Sequence, residues 1–84
     1  MIYINPSWSY RESVENIQTL KDDYERSLSS FSMFDTKKRA DFIYSIRNQF
    51  YALNLKEWQI DNLWNYMNNN FPLSYLIRSA SRYK

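Results

Sequence analysis

The 84-residue sequence has no cysteine, no histidine and no glycine, and only two prolines. Without cysteine there is neither a disulfide framework nor a thiolate metal site, which fits a reducing compartment. Without histidine the usual general base, proton shuttle and zinc ligand are lost together. Without glycine neither a P-loop nor a dinucleotide-binding turn can be built, because both need backbone that a Cβ would obstruct. Nucleotide-binding enzymes of those classes are therefore excluded. No apolar run approaches the roughly 20 residues of a membrane span. The opening residues, MIYINP, lack the charged-then-apolar order of a secretory leader. The expectation is a cytoplasmic protein with no membrane partner.

What is present is aromatic. Eight tyrosines, five phenylalanines and three tryptophans make up 19% of the chain. A single domain of this length buries only about 60–65% of its unfolded surface, so one small core must carry stability. Net charge is +2, yet it is unevenly spread. Residues 1–36 hold three basic against six acidic side chains, a balance of −3, whereas residues 37–84 hold eight against three, a balance of +5. An acidic first third and a basic remainder predict a two-sided surface, unless ordinary solvated helix faces simply segregate.

The organising stretch runs from Asp35 to Phe71. At 100° per residue, Phe42, Ile43, Ile46, Phe50 and Leu53 share one arc of a helix over 36–53. Ile60, Leu63, Trp64, Met67 and Phe71 share an arc on and just past a helix over 57–69. Only Asn54 and its neighbours separate the two, which predicts an antiparallel hairpin. Asp35 is the expected N-cap of the first of these helices. Ahead of them, Tyr10, Val14, Ile17, Leu20, Tyr24 and Leu28 recur at three- and four-residue steps, giving a helix over 10–28. Ser9 with Glu12 has the spacing of a capping box. Asp22 and Arg26 read as an i,i+4 pair on its polar face, a reading preferred to a metal site on Asp22, Asp23 and Glu25. A last helix over 73–82 turns Leu73, Leu76, Ile77 and Ala80 inward. The fold class is all-α: a compact bundle of about four helices in one domain, with residues 1–6 as a short extended arm packed on it. Phe31, Met33 and Phe34, between the first two helices, are expected to cover one end of the core; exposed, the three would instead form a sticky lid or partner site.

Catalysis without histidine or cysteine would fall to carboxylates, tyrosine or lysine. Asp41 and Asp61 lie on separate helices with no convergence, and Glu57 goes to the start of the third helix. The expectation is a non-enzymatic protein with no cofactor and no metal. Side chains left off the apolar arcs suggest docking instead. Tyr44, Arg47 and Tyr51 lie opposite the core stripe of the second helix, Tyr75, Arg78 and Arg82 line the outside of the fourth, and Trp58 sits on a polar face. These seven are the candidate partner-binding residues, since Tyr, Trp and Arg dominate interface energetics. Trp58 has a second role open to it, as a cover over the short turn. Tyr44 and Tyr51 become core if their helix is central. In an alternative reading, nucleic acid is bound directly by Lys37, Lys38, Arg39, Arg47, Arg78 and Arg82. Lys37, Lys38 and Arg39 stand at a helix N-terminus, where the dipole opposes them, which points to a use outside the fold. A homodimer formed through the Tyr-rich face or the first-helix stripe is a third use.

The pattern Phe42-x-x-Ser45-Ile46-x-x-Gln49, then Leu55-x-x-x-Gln59-x-x-x-Leu63, resembles a helical hairpin of phage- and plasmid-encoded proteins of nucleic-acid metabolism. It spans 22 of the 84 residues. Here the turn is one residue shorter, Asn54 stands where glycine is usual, and Lys56 where a capping serine is usual. The composition, rich in Asn, Tyr, Ser and Lys, is similar to that of small accessory proteins of AT-rich phages, including anti-CRISPR and anti-restriction proteins. The resemblance implies a protein partner in nucleic-acid handling and, for a phage protein, the host cytoplasm.

Overall fold

The computed structural model describes residues 2–69 and 71–81, with side chains for 2–68 and 71–78. Four helices follow one another: α1 (Tyr10–Ser30), α2 (Thr36–Tyr51), α3 (Glu57–Asn69) and α4 (Leu73–Ser81). The all-α expectation holds, with α1 two residues longer than the periodicity predicts and α2 two shorter. The capping box at the start of α1 forms both ways. The Ser9 amide donates to Glu12 Oε1 and the Glu12 amide to Ser9 Oγ, each at 3.1 Å. Asp35 is the N-cap of α2, but its carboxylate caps nothing. Its backbone, at φ −89° and ψ 58°, is not the extended form that aims a side chain at the first free amides. Lys56 stands just before α3, its amide held by Gln59 Oε1 at 3.0 Å and its carbonyl accepting from the Ile60 amide.

Contacts between α1 and α3 keep sequence separations of 44 to 48 residues from Tyr24 to Gln18, so the two helices run parallel. Leu28 with Arg39 and Tyr24 with Phe42 set α2 antiparallel to α1. α3 packs on α1, α2 and α4, and α4 packs on α1 as well. The core is one cluster: Val14, Ile17, Leu20 and Tyr24 of α1, Ile46 and Phe50 of α2, Ile60, Leu63, Tyr66 and Met67 of α3, and Leu76 of α4. Burying a side chain of this size contributes about 1.5–3 kcal/mol.

The arm completes that core. Ile2 and Ile4 are buried, while Tyr3 between them is exposed. Gln49 of α2 clamps the arm in both directions, as a neighbouring strand would. The Ile4 amide donates to Gln49 Oε1 at 2.8 Å, and Gln49 Nε2 donates to the Ile2 carbonyl at 3.2 Å. Ile2 also lines a small hollow with Asp23, Arg26 and Ser27 of α1, so the arm ties α1 to α2.

Lacking glycine, the chain reinforces two of its helix ends with cations from other helices. The last carbonyls of a helix have no partner within it, and glycine in the left-handed region is the usual remedy. The Leu28 carbonyl near the end of α1 accepts from the Phe31 amide at 3.3 Å and also from Arg39 Nη1 at 2.8 Å. Lys21 Nζ donates to the Tyr66 carbonyl near the end of α3, at 2.9 Å, and lies 4.6 Å from the Tyr66 ring centroid. A positive charge at a helix C-terminus is also favoured by the dipole.

Three expectations need correction. Phe31 is half-buried against Phe42, but Met33 and Phe34 are 85% and 92% exposed and cover nothing. Ser32 turns them outward, its hydroxyl accepting from the Phe34 amide and its carbonyl from the Asp35 amide. Ile77 is half exposed, while Leu76 is fully buried and Leu73 packs against the core. Arg26 pairs with Asp23 at 3.1 Å and not with Asp22, which accepts from Gln18 Nε2. Ala80 lies outside the residues whose side chains are described.

Candidate functional site: the outer face of α2

α2 lies at the edge of the bundle: it packs on α3, with lighter contacts to α1 and the arm. Its opposite half is open to water: Lys37, Lys38, Asp41, Tyr44, Ser45, Arg47, Asn48 and Tyr51 are all exposed. Tyr44 and Tyr51 are therefore surface residues, at 60% and 49% exposure.

Within this face two candidates form a unit. Arg47 Nη2 donates to the Tyr51 hydroxyl at 3.1 Å, and its guanidinium carbon lies 5.3 Å from the centre of the Tyr51 ring. The two side chains are one turn apart, so this stack is set by the helix itself. The Tyr51 hydrogen bond, followed by the fields of Tyr51, Tyr44 and Asp61, pushes the Arg47 pKa above its ordinary value. Asp61 of α3 adds to that field without closing to an ion pair, and no described carboxylate lies at ion-pair distance from Arg47. Arg47 is therefore an oriented cation with donor capacity to spare.

The remaining candidates divide. Tyr75 and Arg78 are exposed on α4, and Tyr75 meets Phe71 edge-on, at 6.1 Å between centroids. With Pro72 these two rings line an apolar hollow of about 330 Å³. No described contact joins the α4 pair to the α2 group. Arg82 lies outside the described residues. Trp58 is half-buried with its ring edge-on to Tyr10 at 5.7 Å, so it packs against the start of α1. Of the six cations in the nucleic-acid reading, Arg39 is turned inward onto the Leu28 carbonyl, while Lys37, Lys38, Arg47 and Arg78 face solvent.

The acidic face of α1 is partly neutralised. Arg11 meets Glu15 at 3.8 Å, Lys21 meets Glu25 at 3.9 Å and Arg26 meets Asp23. Among the described residues no three acidic groups converge on a cation site, and no helix is long and apolar enough to cross a membrane. Sequence reasoning missed Asp41 as part of the α2 face; its signal is its spacing, three residues before Tyr44 as Arg47 is three after. Comparison of the chain with protein families, with curated proteins and with solved structures found no match.

Proposed function

We propose that this chain acts stoichiometrically, as a non-enzymatic docking protein whose contact surface is the outer face of α2. Its partner is a protein that handles nucleic acid, and its role is that of a phage-type inhibitor or adaptor, anti-CRISPR-like or anti-restriction-like, working in the host cytoplasm. The observation that carries the docking reading is the exposed Arg47–Tyr51 stack with Tyr44 one turn away. Interfaces draw most of their energy from a few such residues, and a side chain already held in place loses less entropy on binding. The choice of partner rests on the resemblance of the 42–63 hairpin and on composition.

The test is a titration of the purified chain into DNA-cleavage reactions of CRISPR effectors and restriction nucleases. The expected result is inhibition with a stoichiometric end point, lost in Arg47→Glu and Tyr51→Ala variants that still fold. In parallel, labelled single- and double-stranded oligonucleotides are titrated with the chain at two salt concentrations. Micromolar binding that weakens steeply with salt would replace this reading with direct nucleic-acid binding through Lys37, Lys38, Arg47 and Arg78. Turnover of a substrate by the chain alone would end it.

A further inference from the structure

Without cysteine, the reversible sulfur chemistry of this chain falls to its three methionines. Met1 lies outside the described residues, and the other two stand at opposite extremes. Met67 of α3 is 2% exposed and belongs to the core, whereas Met33, in the corner between α1 and α2, is 85% exposed. The backbone around Met33 is held in place. The Ser32 hydroxyl accepts from the Phe34 amide at 3.2 Å and the Ser32 carbonyl from the Asp35 amide at 3.0 Å, so the two bonds bracket it. We infer that Met33 is a site of reversible oxidation by peroxide, which the fold directs to this thioether and away from Met67, and which it accepts without unfolding.

The step needs little from the protein. A lone pair of the Met33 sulfur attacks one oxygen of hydrogen peroxide, and the S–O bond forms as the O–O bond breaks. The departing hydroxide takes the remaining hydroxyl proton and leaves as water. Two electrons pass from sulfur to peroxide, and the thioether becomes a sulfoxide. No histidine or other general base is required; an open path to the sulfur is. Met33 has that path, while Met67 gains it only when the end of α3 opens.

The products differ as well. At Met67 the sulfoxide oxygen would be a polar group inside the apolar cluster, costly unless hydrogen-bonded. At Met33 it lies in water. Oxidation there replaces one of two adjacent exposed apolar side chains with a polar one, next to Phe34 at 92% exposure. The apolar character of the corner is thereby set by peroxide and restored by a reductase. The inference does not rest on the proposed function, because Tyr44, Arg47 and Tyr51 are untouched by it.

The test treats the full chain with hydrogen peroxide at neutral pH, quenches it at intervals and maps the sulfoxides by peptide mass spectrometry. Met33 should gain its oxygen at least about tenfold faster than Met67 in the folded chain, and at a similar rate in urea. Circular dichroism of the chain oxidised at Met33 should match that of the parent. Methionine sulfoxide reductases A and B together should remove the oxygen, since each reduces one epimer. On a hydrophobic-interaction column, peroxide should shift the parent to earlier elution and shift the Met33→Leu variant much less. A folded-state rate ratio below tenfold would overturn the inference, as would the same ratio in urea. So would loss of helix on oxidation of Met33, a sulfoxide that both reductases leave in place, or an equal shift in elution for Met33→Leu.

Discussion

The buried ammonium of Lys21 offers the sharpest test of how this fold is held together. Its side chain is only 9% exposed, and Nζ lies 2.9 Å from the Tyr66 carbonyl. Replacing Lys21 with Met keeps most of the stem's packing and removes only the charge and its donors. The Tyr66 carbonyl, one of the last four in α3, then loses a charge-assisted hydrogen bond, a loss of about 1.5–3 kcal/mol. The favourable interaction with the helix end adds about 0.3–1 kcal/mol. Relief of ammonium desolvation acts the other way, and the Glu25 carboxylate 3.9 Å away has already met part of that cost. The net expectation is a loss of about 2 kcal/mol, which for a domain of this size lowers Tm by about 8–16 °C. Lys21→Ala should lose about 1 kcal/mol more, since it also empties the space of the stem. Urea and thermal unfolding followed by circular dichroism measure both. A Met variant as stable as the parent, or more so, would refute the reasoning and show the ammonium to be buried at a net cost, as some buried ions are.

Other expectations follow from the same geometry. Gln49→Leu should cost about 1–3 kcal/mol by freeing the Ile4 amide and the Ile2 carbonyl; hydrogen exchange should show protection lost at the Ile4 amide first. Gln49→Glu keeps an acceptor for Ile4 but no donor for Ile2, and urea titration should place it between the parent and the Leu variant. Ser9→Ala should cost about 1 kcal/mol in the same titration, through loss of half the capping box. Burial raises the pKa of Tyr24 above its ordinary 10.0, partly offset by Arg39, and burial with the fields of Asp22 and Glu25 raises that of Tyr66. The stability these phenols contribute is complete below pH 10 and lost as pH rises through their folded-state values. Alkaline unfolding should therefore begin above pH 10 and move upward in Tyr66→Phe, with tyrosinate absorbance rising in step with loss of helix.

Much of this fold is legible in the sequence, because helix period and capping are local. Ser9 with Glu12 marks the start of α1, and the apolar steps from Tyr10 to Tyr24 predict its buried face. Residues whose roles depend on what another helix brings near them are harder to read. Lys21 sits on the apolar stripe, four residues after Ile17 and three before Tyr24. Periodicity thus marks its burial, but only the parallel register of α1 and α3 shows that the end of α3 waits there. Gln49 looks like an ordinary polar residue until the arm lies beside it. Met33 and Phe34 mislead in the opposite sense: they are apolar enough to predict burial, yet the Ser32 turn points them away. For the candidate site, the sequence named Tyr44, Arg47 and Tyr51 but could not place α2 at the edge of the bundle. Their exposure is a property of how the helices stack, not of any one of them.

The manner in which α1 and α3 finish bears on how the protein comes apart. Each end is braced by a cation from a different helix, so α1 loses part of its cap when α2 departs and α3 when α1 does. Unravelling inward from those two ends should be suppressed, and backbone amides in α1 and α3 should open together, in one concerted step with nearly the free energy of global unfolding.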